Sequence, residues 1–509
     1  MHYDVIIIGS GAGGGTLAYA LATTGKRILL LERGESIPKD DANWNPVVVH
    51  RERRYAPDEI WYDDEDRPQR CPTFYNVGGN TKWFGAVLMR FRAEDFEGMR
   101  HYDGVAPAWP IRYADLEPYY TQAEQLYQVR GTRGIDPTEP CASAPYAYGP
   151  LHHEPRIQQL ADDLTRAGLH PFPLPVGVMR DDAEPERQPC RRCATCGGYP
   201  CKLAAKCDAE TIAVVPALRS PNVTLLTGVL VTRLETNASG RSVTTVHVRR
   251  GDQEERYHGS IIVLAAGAIN SAALLLRSKS DRHPHGLANR SGVVGRHYMR
   301  HIKSSIIAIT REPHTTVFQK TLGWNDWYFG DEGWDYPLGH VQTLGKPHPS
   351  LYAEEDIPAG LTRDTIGPHT LDLVAFSEDL PDPDNRITLT RDGSIRVAYT
   401  PNNTTGHKRL MGRLDALLPT IGCVGRLSRH DLYVGQTNSV SGANHQCGTV
   451  RFGVDPATSA LDLWCKAHDL DNLYVVDASF LPSSTASNPA LTVIANALRV
   501  AEHLRERFV

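Results

Sequence analysis

The sequence contains no run of the ~18–20 uninterrupted apolar residues that a membrane span requires, so no span is expected. It also lacks a basic excess. The formal net charge is −5 and the pI is about 6.5, with Lys and Arg dispersed among Asp and Glu. That balance excludes the electrostatic footprint of a nucleic-acid-binding protein. Nothing resembling a secretory leader precedes the strand-like Tyr3-Asp4-Val5-Ile6-Ile7-Ile8, and a cytoplasmic location is therefore expected. Cysteine is present at ten residues, but five of them crowd between Cys190 and Cys207, which excludes a disulfide-dependent scaffold. The 509 residues suffice for a large core, and enzymes of this size often interleave two domains.

Among the features present, the first thirty residues are the most informative. Val5 to Ile8 form a short β-branched run of the kind that makes a buried parallel strand. The run enters Gly9-Ser10-Gly11-Ala12-Gly13-Gly14, a G-x-G-x-x-G pattern, and a helical stretch follows from about Thr16 to Thr23. Gly9 suits the tight turn, Gly11 a close approach of backbone to pyrophosphate, and Gly14 close packing of helix on strand. The helix directs its positive end at the phosphates. A second strand, Arg27 to Leu31, closes on Glu32, placed where a carboxylate accepts hydrogen bonds from ribose hydroxyls. Strand, glycines, helix, strand and acid in that order predict a dinucleotide site.

Further along, Val77 to Gly85 is a second glycine-rich turn in which Gly78, Gly79, Asn80 and Thr81 let backbone N–H groups approach a flat ring or a phosphate. Residues 109–127 read as a turn and an amphipathic helix. Residues 222–231 and 243–248 read as paired strands, and Ser260 to Ala265 as a buried strand that ends at Ala266-Gly267-Ala268 before a helix. Residues 344–370, rich in Pro and Gly and poor in periodicity, are expected to form a lid.

Two dense motifs lie near the end: Asn444-His445-Gln446-Cys447-Gly448-Thr449, and Asp477 with Ser487-Asn488-Pro489-Ala490-Leu491-Thr492 leading into an apolar helix. With the fingerprint, the Gly78–Gly85 turn and Ala265 to Ala268, these motifs resemble the glucose–methanol–choline (GMC) oxidoreductases along nearly the whole chain. The resemblance implies an α/β fold. The resemblance also implies a Rossmann-like FAD domain (1–90, 206–300, 430–509) interleaved with an α+β substrate domain carrying an antiparallel sheet (91–205, 301–429). It further implies FAD as cofactor, His445 as the catalytic histidine and Asn488 as its partner, with Asp477 beside the flavin, Val231 near the adenine, and Ala266, Asn488, Leu491 and Thr492 as further cofactor-binding residues.

The chemistry suits those residue types. Alcohol oxidation needs a proton taken from oxygen, which an imidazole titrating near neutrality can accept, while hydride passes to flavin N5. An amide can hold the substrate oxygen without a change of charge. Asn488 before Pro489 is also a good helix N-cap. The His–Asn pairing is similar to that of pyranose oxidases and cholesterol oxidases, and the compact size resembles bacterial pyranose oxidases and glycoside 3-oxidases. Thr81-Lys82-Trp83 resembles the Thr-His-Trp at which some pyranose oxidases attach flavin covalently, with Lys82 in place of that histidine, so noncovalent FAD is expected. Gln319, Asn325 and Gln342, interleaved with aromatics, and Asn444 beside His445, are candidate contacts for a sugar or glycoside. Dioxygen is the expected acceptor, giving hydrogen peroxide. The alternatives are a quinone- or cytochrome-linked dehydrogenase, a sterol oxidase, and a non-redox lyase on the same fold. Cys190 to Cys207 could hold structural thiols, a disulfide or a metal centre.

Overall fold

The computed structural model describes residues 2–180, 182, 189–346, 348, 361–362, 364–428 and 445–508. Five parallel strands form its centre, in the order Val223–Leu226, Ile28–Leu31, His2–Ile8, the second half of Gln253–Leu264, and Leu473–Val475. Val5, Ile6 and Ile7 are fully buried, which explains the continuous apolar run. Removing each such side chain from water contributes about 1.5–3 kcal/mol, so a run of them fixes the central strand.

The long strand Gln253–Leu264 belongs to two layers. Its exposed first half pairs antiparallel with Val243–Arg250, which pairs in turn with Val229–Thr236, and its buried second half runs parallel to His2–Ile8. One expectation is corrected here. Residues 222–231 are not a single strand, because Gly228 at φ +66° breaks them. Val223–Leu226 joins the parallel sheet beside Ile28–Leu31, and only Val229–Thr236 pairs with Val243–Arg250. The first helix also starts earlier than its sequence pattern suggests, at Ala12, since a helix N-terminus tolerates glycines that its interior would not.

A second sheet of six antiparallel strands runs Cys423–Ser428, Ile302–Thr310, Thr370–Ser377, His340–Thr343, Leu322–Trp324 and Phe172–Pro173. Strand alternation divides its residues between two faces. Ile306, Ala308, Leu373, Ala375 and Val341 pack with Leu410 and Leu414 of helix Thr404–Leu417 and with Leu160 of helix Pro155–Arg166 in a separate core. The opposite face carries Lys303, Phe376, His340 and Gln342, aligned across the sheet by the pairs Lys303–Phe376, His340–Phe376 and Gln342–Val374. Of the residues expected to form a lid, 347, 349–360 and 363 lie outside the described residues. The described end of that segment, a short helical turn Gly367–His369, leads directly into strand Thr370–Ser377.

Candidate active site

The two glycine-rich turns meet back to back. A Cβ on Gly79, itself at φ +54°, would come within 3.0 Å of the Gly11 Cα, so this close contact of the turns depends on Gly79 lacking a side chain. A Cβ on Gly14 would sit 2.0 Å from the Gly9 carbonyl oxygen and 2.9 Å from the Ala265 Cβ, which makes that glycine a packing requirement. Gly11 differs. A Cβ there would meet nothing nearer than the Gly79 Cα at 3.9 Å, so space is left above the N-terminus of helix Ala12–Leu21. No side chain caps that terminus, and its first backbone N–H groups are available to an anion. The cradle therefore fits a pyrophosphate.

Carboxylates lock the cradle together. Glu32 accepts from the Ser10 backbone N–H at 2.9 Å, the Ser10 hydroxyl at 2.6 Å and the Gly34 N–H at 3.0 Å. The Ser10 Oγ in turn accepts from the Gly78 N–H at 3.1 Å and ties the two turns. Burial raises the Glu32 pKa, and the hydrogen bonds from Ser10 and Gly34 work against that rise. Oε2 takes both Ser10 bonds, and the acceptor capacity left for a ribose hydroxyl lies on Oε1. Val231 lies on the adjoining strand, whose first residue, Val229, donates its N–H to the Glu32 carbonyl at 3.0 Å.

Asp477 holds the opposite rim. Its carboxylate accepts from the Gly267 N–H at 2.9 Å and the Ser271 hydroxyl at 2.5 Å, and from both the backbone and the hydroxyl of Ser479. The Ser271 hydroxyl also accepts from the Ala266 N–H, so Asp477 organises the Ala265–Ala268 turn that carries the expected cofactor-binding residue Ala266. In the second glycine turn Thr81 Oγ1 donates to the Gly78 carbonyl and accepts from the Ala209 N–H, while Asn80 is exposed. Lys82 is buried, with its ammonium 3.1 Å from Asp208 and 2.6 Å from Glu210. Burial opposes its charge, but the two carboxylates outweigh burial and hold its pKa above the ordinary value.

His445 occupies a strained turn at φ +60°, a conformation that L side chains seldom adopt. The turn is held by an antiparallel bridge in which Met299 and Cys447 exchange backbone hydrogen bonds of 3.0 and 2.9 Å. Two residues along each chain, the same register sets His301 opposite His445. Their Nδ1 atoms lie 2.9 Å apart, and His301 Nε2 donates to the Ser484 carbonyl at 3.1 Å. Phe376 packs against both rings, at 5.3 Å from His301 and 5.5 Å from His445. Burial pushes the His301 pKa down to about 4, and burial together with His301 and Lys303 holds His445 well below its usual value. Both imidazoles are thus neutral at neutral pH. No hydrogen bond reaches His445 Nε2 among the described residues.

Asn488 lies just beyond Ser484, at the entrance to helix Ala490–Arg507. The expected N-cap role is not realised: Pro489 is the N-cap and no side chain caps the helix. The Asn488 Oδ1 is buried without a hydrogen-bond partner among the described residues, and the residue is 9% exposed. An orphaned amide of this kind costs about 1–3 kcal/mol unless something binds it, so it fits a site built for a ligand. In the first turn of that helix Leu491 is buried, and the Thr492 hydroxyl lies 2.7 Å from the Tyr120 hydroxyl.

The other expected contacts separate into two groups. Gln342 and Asn325 belong to one buried network on the sheet face below Phe376. His340 lies 2.9 Å from the Gln342 carboxamide and 2.7 Å from Asn325, which donates to Asp136 at 2.8 Å. Gln319 is spent elsewhere, donating to the Thr370 carbonyl and accepting from the Asp372 N–H. Asn444 lies outside the described residues. All ten cysteines are free thiols, and no three His, Cys, Asp or Glu side chains are grouped to hold a metal among the described residues. His301 was not anticipated: it is 144 residues from His445 and carries no motif of its own.

With this geometry in place, the comparisons with known proteins are specific. Residues 4–337 match the FAD dependent oxidoreductase family and residues 414–497 the GMC oxidoreductase family. The chain is 32% identical to 6'''-hydroxyparomomycin C oxidase of Streptomyces lividus, over 99% of this chain and 92% of that one. It is 31% identical to paromamine 6'-oxidase of Streptomyces fradiae, over 98% and 91%, and 26% identical to the fructose dehydrogenase large subunit of Gluconobacter japonicus, over 98% and 97%. Among solved structures, pyridoxine 4-oxidase from Mesorbium loti superposes with a TM-score of 0.68 at 21% identity, covering 99% of both chains, which establishes the fold. The uncapped helix above paired glycines and the two motif matches have one common explanation: the chain belongs to the GMC oxidoreductases, as a FAD-dependent enzyme that oxidises CH–OH donors.

Proposed function

We propose that this enzyme oxidises a hydroxyl of a sugar or glycoside, a secondary ring alcohol to a ketone, with His445 as general base and Asn488 as the group that holds the substrate oxygen. The observation that carries this reading is the buried, unpartnered Asn488 amide in a site whose histidine leaves Nε2 unengaged. His445 is neutral at neutral pH, so Nε2 is able to accept the hydroxyl proton. The Asn488 carboxamide NH2, as a donor to the substrate oxygen, would keep that oxygen fixed while its O–H bond breaks. When bound, FAD supplies the acceptor for the hydride that leaves the alcohol carbon.

A sugar suits the sheet face opposite, where Gln342 and His340 accompany the Phe376 ring. The names of the two Streptomyces oxidases favour amino-sugar glycosides beside simple glucosides. Noncovalent FAD is supported by the Lys82 ammonium, which Asp208 and Glu210 pair with and hold protonated, so that it is no nucleophile. Dioxygen is the proposed final acceptor, giving hydrogen peroxide. Transfer to a quinone or cytochrome is the second reading, favoured by the similarity to a fructose dehydrogenase subunit.

Anaerobic mixing of the yellow holoenzyme with glucose, methyl glucosides, paromamine and cholesterol tests the substrate class. Bleaching by the sugars and not by cholesterol is expected, and bleaching by the sterol alone would refute the proposal. His445→Ala should retain FAD yet lose at least ~100-fold in the rate of bleaching. Peroxide formation in air separates the oxidase reading from the dehydrogenase reading.

A further inference from the structure

We infer that His301 is a positioning residue that fixes the tautomer of His445 and so decides which nitrogen accepts the substrate proton. The inference rests on the reading of His445 as the base. Its argument begins at Ser484, whose backbone carbonyl can only accept a hydrogen bond. At 3.1 Å from that carbonyl, His301 Nε2 must carry a proton. A neutral imidazole has one N–H, so His301 Nδ1 presents a lone pair. The 2.9 Å contact then requires His445 Nδ1 to donate, which leaves the His445 lone pair on Nε2. The backbone carbonyl thus dictates, through two rings, where the base is basic.

The same contact stabilises the product of proton transfer. As the substrate O–H bond breaks, its proton forms a bond to His445 Nε2 and the carbonyl forms, the C–H hydrogen leaving with its electron pair as the hydride that bound FAD would accept. His445 is then a cation in a poorly hydrated site. Among the described residues, the charged and titratable groups facing the pair are Lys303, the second residue of strand Ile302–Thr310, 6.0 Å from the Phe376 ring, and His340, stacked on that ring. Lys303 disfavours the imidazolium and His340 is neutral. The His301 lone pair, polarised by the Ser484 carbonyl, offsets that penalty through a charge-assisted hydrogen bond. Packing alone would not explain two ring nitrogens within hydrogen-bond distance in a register set by the Met299–Cys447 bridge.

Two measurements test the role, both on the full-length holoenzyme. The first is histidine 15N NMR of the wild type, with His445 identified by difference from His445→Ala. We expect His445 protonated at Nδ1 and bare at Nε2, with that pattern lost in His301→Leu. A proton on Nε2 in the wild type overturns the inference whatever the activity. The second is anaerobic flavin reduction by methyl glucoside or paromamine. His301→Leu should slow reduction at least ~10-fold with little change in KM and should move the acid limb of the pH profile, and His301→Gln, whose carbonyl can still accept from Nδ1–H, should recover most of the rate. An unchanged rate and pH profile in His301→Leu would overturn it too. If His445→Ala is itself fully active while the tautomer is as described, the base assignment fails and the positioning relation stands.

Discussion

Gly11→Ala separates the site from the scaffold. The backbone at Gly11, φ −71° and ψ −160°, is open to any residue, and the new methyl would touch only the Gly79 Cα at 3.9 Å. Stability should therefore change by no more than about 0.5 kcal/mol. The methyl would nevertheless occupy the space above the helix N-terminus where a pyrophosphate meets backbone N–H groups. Displacing it from two charge-assisted hydrogen bonds, each worth about 1.5–3 kcal/mol, costs about 3–6 kcal/mol, or roughly 10²- to 10⁴-fold in FAD affinity. Gly14→Ala is the contrast, since its methyl would meet the Gly9 carbonyl at 2.0 Å and the protein should fail to fold. Flavin per chain after purification, a circular-dichroism melt and an FAD titration by fluorescence quenching report the three quantities. A yellow Gly11→Ala protein with FAD affinity within a few fold of wild type would refute the assignment of the cradle.

Lys82→Met should destabilise the protein by about 3–5 kcal/mol, because it leaves the carboxylates of Asp208 and Glu210, 1% and 13% exposed, without their cation. Adding Asp208→Asn and Glu210→Gln should recover most of that loss, and an unchanged melting temperature in the single variant would contradict it. Stability should also fall on acidification from about pH 6.5 to about pH 4. Burial holds His301, His340 and His407 near 4 against an ordinary 6.5, so the unfolded chain takes up protons first, and stability is complete above 6.5. Asp95 and Asp379, raised by burial to about 7 and about 8, act in the opposite sense but are outnumbered. A melting temperature that rises through that window on acidification would exclude the balance.

How much of this molecule is legible in its sequence follows from the range of the interactions involved. The run Val5–Ile8, the glycines after it and the helix from Ala12 are set by neighbours along the chain, through side-chain volume, φ restrictions and a hydrophobic period, so the nucleotide site can be read directly. The terminal motifs identify His445 and Asn488 as candidates for the same reason. Sequence could not show that Asn488 is released from capping, because whether a helix begins at Ala490 with Pro489 or Asn488 as its cap depends on how the preceding segment is anchored. That anchoring comes from Asp379 and Glu378, which bond Ser484 and Thr485.

The pairing of His301 with His445, and of Lys82 with Asp208 and Glu210, was likewise decided only by the folded chain. Each joins residues more than a hundred positions apart, and nothing in the local pattern of either partner encodes the other. The Met299–Cys447 bridge brings the first pair together, and packing of the Gly78–Lys82 turn against residues 208–210 brings the second. The covalent sequence thus determined which groups are available for chemistry. Tertiary packing determined their protonation and their partners, since both depend on burial and on neighbours that exist only once the sheets have closed.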